Sequence, residues 1–141
     1  DHQWVGEGGN RFRYSASQLP GDFVDILYSP DSLFGVSGSG TVHHVAFKTE
    51  NDAFQAEIRE KLMRSGIDVT PMIDRQYFHS IYFKEPGGVL FEIATTFPGF
   101  TVDETAEHLG DTLKLPPRFE KVRGRIEQRL TPLHFNSEDY K

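Results

Sequence analysis

The sequence predicts an α+β fold built on one βαβββ unit. Between residues 41 and 95, four short runs alternate apolar and polar residues with the period of a strand, and one stretch between the first two runs repeats its apolar residues with the period of a helix. Turn residues punctuate the runs, most clearly Glu85-Pro86-Gly87-Gly88, and this punctuation makes separate elements of them.

The first strand is expected over 41–48. A helix follows from about 51 to 64, with Phe54, Ile58 and Leu62 on one stripe and Glu57, Glu60 and Lys61 facing water. Thr49 or Asn51 can cap its start and Gly66 can end it. The remaining strands are expected over 69–73, 78–84 and 89–95.

Upstream, 10–17 and 22–28 carry strand patterns, with Phe12 and Tyr14 alternating with Arg11 and Arg13, and the turn signal Leu19-Pro20-Gly21-Asp22 joins them as a hairpin. Residues 29–40 are rich in Gly and Ser and read as a linker. The expected organisation is therefore a partial βαβββ module and linker over 1–40, a complete module over 41–99, and a tail over 100–141. Within the tail, Pro116-Pro117 opens a helix expected at 118–129, bearing Phe119, Val122, Ile126 and, just beyond, Leu130. The chain starts on Asp1-His2-Gln3-Trp4 without a methionine, and it is expected to be a piece of something longer.

Composition narrows the function. The chain has 141 residues, and 15 Lys and Arg against 21 Asp and Glu give a net charge of -6. That balance, with no basic run, argues against nucleic acid or an anionic membrane as the main partner. With no cysteine, thiolate metal sites and a Cys nucleophile are excluded, so a metal would be held by His, Asp or Glu. No apolar stretch approaches the roughly 20 residues that span a bilayer, and a cytoplasmic protein is the expectation.

Strand parity decides which side chains can meet. His43, Val45 and Phe47, then His79, Ile81 and Phe83, then Phe91 and Ile93 share the bulky apolar parity, the natural bed for the helix stripe. The opposite parity holds His44 and Ala46, Ser80 and Tyr82, and Glu92 and Ala94. One His, one Tyr and one Glu thus share the face turned from the helix, where a buried carboxylate requires a cation close by. Other assignments stay open: His44 as a structural histidine, Glu92 paired with Arg75 or Lys84, and Tyr82 as a packed aromatic. His43 and His79 are expected at the core or the boundary between sheet and helix, and His2, His108 and His134 in solvent.

The strand Gly40-Thr41-Val42-His43-His44-Val45-Ala46-Phe47, the segment from Asp74 to Phe83 and the run from Pro86 to Thr95 together resemble the carboxy-terminal module of bacterial glyoxalase-like ring-cleaving dioxygenases, of the hydroquinone type. These belong to the vicinal-oxygen-chelate superfamily. The resemblance implies that His44 and Glu92 are two of three protein ligands to Fe(II) or Mn(II). It implies that Tyr82 lies beside the substrate, with Ser80 a further candidate substrate contact. It also implies an aromatic substrate, catechol-like or hydroquinone-like, and O2. The third ligand, a His, would come from a module that this chain lacks, so missing amino-terminal modules or a second copy would complete the site. No acid-base histidine stands at a matching position. Two other readings of the scaffold are a lyase or isomerase using Zn(II) or Ni(II), and a metal-free small-molecule binding module.

Overall fold

A computed structural model describes residues 2–17, 19–33 and 35–131. The expectation for His134 lies outside them. The described residues form two compact units that part between Thr41 and Val42.

The second unit has the expected order. Strand β4 (Val45–Thr49) leads into helix α1 (Asp52–Arg64), then β5 (Ile73–Asp74), β6 (Phe78–Lys84) and β7 (Leu90–Pro98). The sheet order is β4-β7-β6-β5, with β4 parallel to β7 and the other pairs antiparallel. A parallel pair needs a crossover, and the helix and the β5-β6 strands supply it.

Helix α1 starts where its capping chemistry places it, since the Asn51 side chain accepts from the Phe54 amide at 3.0 Å. At the other end Gly66 takes a φ of 77°. This lets its amide reach the Met63 carbonyl at 3.0 Å and lets the Ile67 amide reach that of Leu62 at 3.1 Å. These are the two bonds of a left-handed glycine cap, completed by the apolar pair Leu62 and Ile67.

The face toward the sheet differs from the expected stripe. Gln55, Ile58 and Leu62 point inward, while Phe54 is half exposed. Around the helix Gln55 lies about 20° from Leu62, whereas Phe54 lies about 80° from it on the far side of Ile58, so a sheet that meets the Leu62 side of the stripe takes Gln55 and leaves Phe54 at the edge. The core is Ile81, Phe83 and Ile93, with Phe47, Ile58, Leu62, Ile67, Val69 and Phe91 packed around it. Each fully buried side chain of this kind stabilises the fold by about 1.5–3 kcal/mol.

Polar groups inside this core follow from a bulge. The β6-β7 register slips between Phe78 and Ser80, which takes His79 out of the regular ladder. The His79 amide instead donates to Thr95 Oγ1 at 2.9 Å, and its carbonyl accepts from Gln55 Nε2 at 2.8 Å. The same Gln55 nitrogen donates to the Ile93 carbonyl at 2.9 Å. The His79 ring turns to the helix start, with Nδ1 2.8 Å from Asp52 Oδ1, so it is a residue of the sheet–helix boundary.

Three other expectations are corrected. The first strand of this unit begins at Val45 rather than residue 41, because its pairing with β7 starts at Val45↔Phe91; His43 therefore lies outside the ladder and is exposed. The run expected at 69–73 pairs only in pieces, a bridge from Val69 to Phe83 and the short β5. Pro71 lies between them and has no amide to donate. In the tail, a continuous helix is replaced by a 3₁₀ segment, Pro117–Val122, and a short α2, Arg123–Glu127. Gly124 in its middle lowers helix propensity by about 1 kcal/mol.

The first unit is an antiparallel meander of β1 (Gln3–Gly8), β2 (Arg11–Ser15) and β3 (Phe23–Leu27). The hairpin of β2 and β3 was expected; β1 was not, because Gly6 and Gly8 interrupt its alternation and its register is irregular between Trp4 and Gly6. Arg13 faces Asp25 across the hairpin and donates two hydrogen bonds, at 2.7 and 2.8 Å. These bonds hold the Asp25 carboxyl below its ordinary range. Among the described residues, no helix is long and apolar enough to cross a membrane.

Candidate metal centre

The register of the second sheet sets the site. Ala46 on β4, Glu92 on β7 and Tyr82 on β6 are direct cross-strand partners, and so share one face. Phe47, Ile93 and Ile81 are the next such row and share the other face, against the helix. His44 precedes β4 by one residue, yet its side chain still reaches the face of Ala46 and Glu92.

Glu92 is the hub of this face and is only 3% exposed. Its Oε2 lies 2.8 Å from His44 Nε2. Its Oε1 accepts from the Tyr82 hydroxyl at 2.8 Å and from the Ser80 hydroxyl. The carboxylate is thus fully partnered although buried, as the cost of hiding a charge demands. The four residues singled out from the sequence, His44, Ser80, Tyr82 and Glu92, are brought into one cluster. Arg75 does not pair with Glu92; its guanidinium carbon stands 5.3 Å from the centre of the Tyr82 ring.

Two features escape a sequence reading. Ser80 is completely buried, at 0% exposure, so it has no surface to offer a ligand from this side. His43, expected on the core parity, instead has its Nδ1 2.8 Å from His44 Nδ1. One of those two nitrogens must carry a proton. If Nε2 of His44 is to hold a cation, its own proton sits on Nδ1 and is donated to His43. The adjacent pair His43-His44 was the available signal, but only the early end of the β4 ladder turns both rings to the same side.

The donor set can be tested against a divalent ion. An imidazole nitrogen and a carboxylate oxygen suit Fe, Mn, Zn or Ni. Two such donors bound side by side at about 2.1 Å from one ion would lie roughly 3 Å apart, and Nε2 and Oε2 are 2.8 Å apart. The pair therefore fits a cation, but as part of a shell: among the described residues no group of three or more His, Cys, Asp or Glu could hold a metal.

No family model matches the chain. Curated relatives do. It is 42% identical over 135 residues to MhqO of Bacillus subtilis, named as a ring-cleaving dioxygenase, covering 96% of this chain and 43% of that one. It is 36% identical over 127 residues to the chlorohydroquinone/hydroquinone 1,2-dioxygenase of Sphingobium indicum, covering 86% of this chain and 39% of the relative. A crystal structure from B. subtilis, named as a dioxygenase, superposes with a TM-score of 0.87 at 41% identity, covering 94% of this chain and 43% of its own. A glyoxylase/bleomycin resistance protein/dioxygenase domain from Frankia sp. EAN1pec, 15% identical, shares the fold at a TM-score of 0.53, over 71% of this chain and 76% of that domain. The Frankia domain shows the shared fold. The homologues, at 36–43% identity, are named ring-cleaving dioxygenases. The chain spans less than half the length of those relatives.

Proposed function

We propose that this chain is the carboxy-terminal part of a non-haem Fe(II)-dependent ring-cleaving dioxygenase acting on hydroquinone-like or catechol-like aromatics, with the cytoplasm as its compartment. The observation that carries the reading is the His44–Glu92 pair, 2.8 Å apart on one sheet face, in a chain whose homologues are named for ring cleavage. His44 Nε2 and Glu92 Oε2 would hold the metal. The third protein ligand would come from residues outside this chain, supplied by further modules or by a second copy.

When bound, the ferrous ion would supply open positions at which a substrate oxygen and O2 can meet. The chain's own residues have separate tasks. Glu92 contributes the negative charge that favours a divalent ion. His43 accepts a hydrogen bond from His44 Nδ1–H, which fixes that tautomer and leaves the Nε2 lone pair for the metal. Tyr82 donates its hydroxyl hydrogen bond to Glu92, and the lone pairs of that hydroxyl remain to accept from a substrate hydroxyl, orienting it beside the metal. Arg75, against the Tyr82 ring, adds positive charge next to the place a phenolate would occupy.

The test is oxygen consumption by the full encoded protein, reconstituted with Fe(II) under anaerobic conditions and then given O2 with hydroquinone or catechol. Fe(II)-dependent uptake supports the reading. Retention of zinc or nickel without uptake would favour a lyase or isomerase, and no metal at all a binding module.

A further inference from the structure

We propose that Ser80 is a positioning residue for the Glu92 carboxylate rather than a contact for substrate, an inference that rests on the metal-centre reading above. Ser80 is 0% exposed, so its hydroxyl cannot meet a small molecule bound on this face. What it meets is Glu92 Oε1, the oxygen that also accepts from Tyr82 at 2.8 Å.

The consequence is an asymmetric carboxylate. Two hydroxyl donors engage Oε1, and Oε2 is left to the side of His44. The terminal torsion of a glutamate is otherwise broad, so a lone carboxylate could swing either oxygen, or both, toward a cation. Hydrogen bonds to the non-coordinating oxygen remove that freedom and present a single donor atom. Tyr82 is half-buried; Ser80, fully buried, is the donor that nothing from outside can take away.

The fold supplies this hydroxyl deliberately. Residues 80–84 pair with 94–90 in one unbroken register, so Ser80 lies opposite Ala94, on the same face as Tyr82 and Glu92, and its side chain leans back to Glu92. The bulge begins just beyond Ser80, where Gln55 donates to the displaced His79 carbonyl and Thr95 accepts from the His79 amide.

The experiment follows Mn(II) binding to the full encoded protein by the loss of the free-ion EPR signal, in the wild type and in Ser80→Ala, Ser80→Cys and Ser80→Thr. Ser80→Ala should weaken Mn(II) affinity on the order of 10–100-fold and alter the spectrum of the bound ion. Ser80→Thr, which keeps a hydroxyl, should recover most of the affinity. Ser80→Cys, close in size but a much weaker donor, carries the test if the alanine variant does not fold. At saturating metal the KM for hydroquinone should not rise in any of them. Wild-type affinity and an unchanged spectrum in both Ser80→Ala and Ser80→Cys would overturn the inference alone, as would a raised KM at unchanged metal affinity. A wild type that takes up no Mn(II) would overturn the metal-centre reading, and the inference with it.

Discussion

Gln55 of α1 and His79 of β6 are tied by a hydrogen bond of 2.8 Å, from the amide nitrogen of the one to the main-chain carbonyl of the other. That bond answers a bulge in the strand that carries the site, and the same nitrogen reaches Ile93 on the neighbouring strand. The helix thus holds the two strands in the register that sets Tyr82 opposite Glu92.

Gln55→Ala should therefore cost about 2 kcal/mol, since it leaves the His79 and Ile93 carbonyls without their side-chain donor in a dry setting. Urea denaturation of the two proteins measures it. A change below about 0.5 kcal/mol, the range of an unremarkable surface substitution, would show that the bulge is held by other means.

Glu92 separates stability from metal binding. Glu92→Gln keeps an acceptor for Ser80 and Tyr82 and should lose less than about 1 kcal/mol, whereas Glu92→Leu leaves both hydroxyls unpaired and should lose about 1–3 kcal/mol. Neither should retain metal. Thermal melts paired with metal analysis distinguish the two effects, and full metal retention by Glu92→Gln would remove the carboxylate from the ligand set.

Much of this was legible in the sequence, and the boundary has a physical cause. The helix caps at Asn51 and Gly66 and the parity that unites Tyr82 with Glu92 are local, because they depend on residue type and on a period of two or 3.6. Where β4 begins is not local: its partner β7 decides it, and this is why His43 was expected in the sheet and instead sits beside His44. The inward turn of Gln55 in place of Phe54 answers a bulge that no periodicity announces. Ser80 shares the parity of Tyr82 and Glu92, which the sequence shows, but its complete burial depends on the packing around it, which the sequence does not show.

Gly66 tests the helix terminus. Its φ of 77° is a conformation that costs a residue with a side chain about 1–2 kcal/mol. Nothing lies within 4 Å of where a Cβ would stand, so backbone strain alone should set the loss in Gly66→Ala. Gly66→Asn should recover part of it, as read from melting temperatures.

The pH response has one predicted feature at the alkaline end. Loss of solvent around Tyr77, with its hydrogen bond to Asp103, raises its pKa above the ordinary value of 10.0. A raised pKa means that the fold prefers the neutral phenol. Its contribution to stability is complete below about pH 10 and is lost as pH climbs through the folded value. Asp103→Asn should bring the Tyr77 titration, followed by tyrosinate absorbance, back toward the ordinary value; a midpoint unchanged by that substitution would assign the whole shift to desolvation.

Metal retention decides whether His44, together with Glu92, holds a metal. The full encoded protein, with His44→Ala and His43→Ala beside it, is loaded anaerobically with Fe(II), desalted and analysed for iron. About one iron per chain is expected in the wild type and almost none in His44→Ala. In His43→Ala an intermediate value is expected, with stability changed by less than about 0.5 kcal/mol because that side chain is exposed. Equal iron in the wild type and His44→Ala would contradict the assignment of His44 as a ligand.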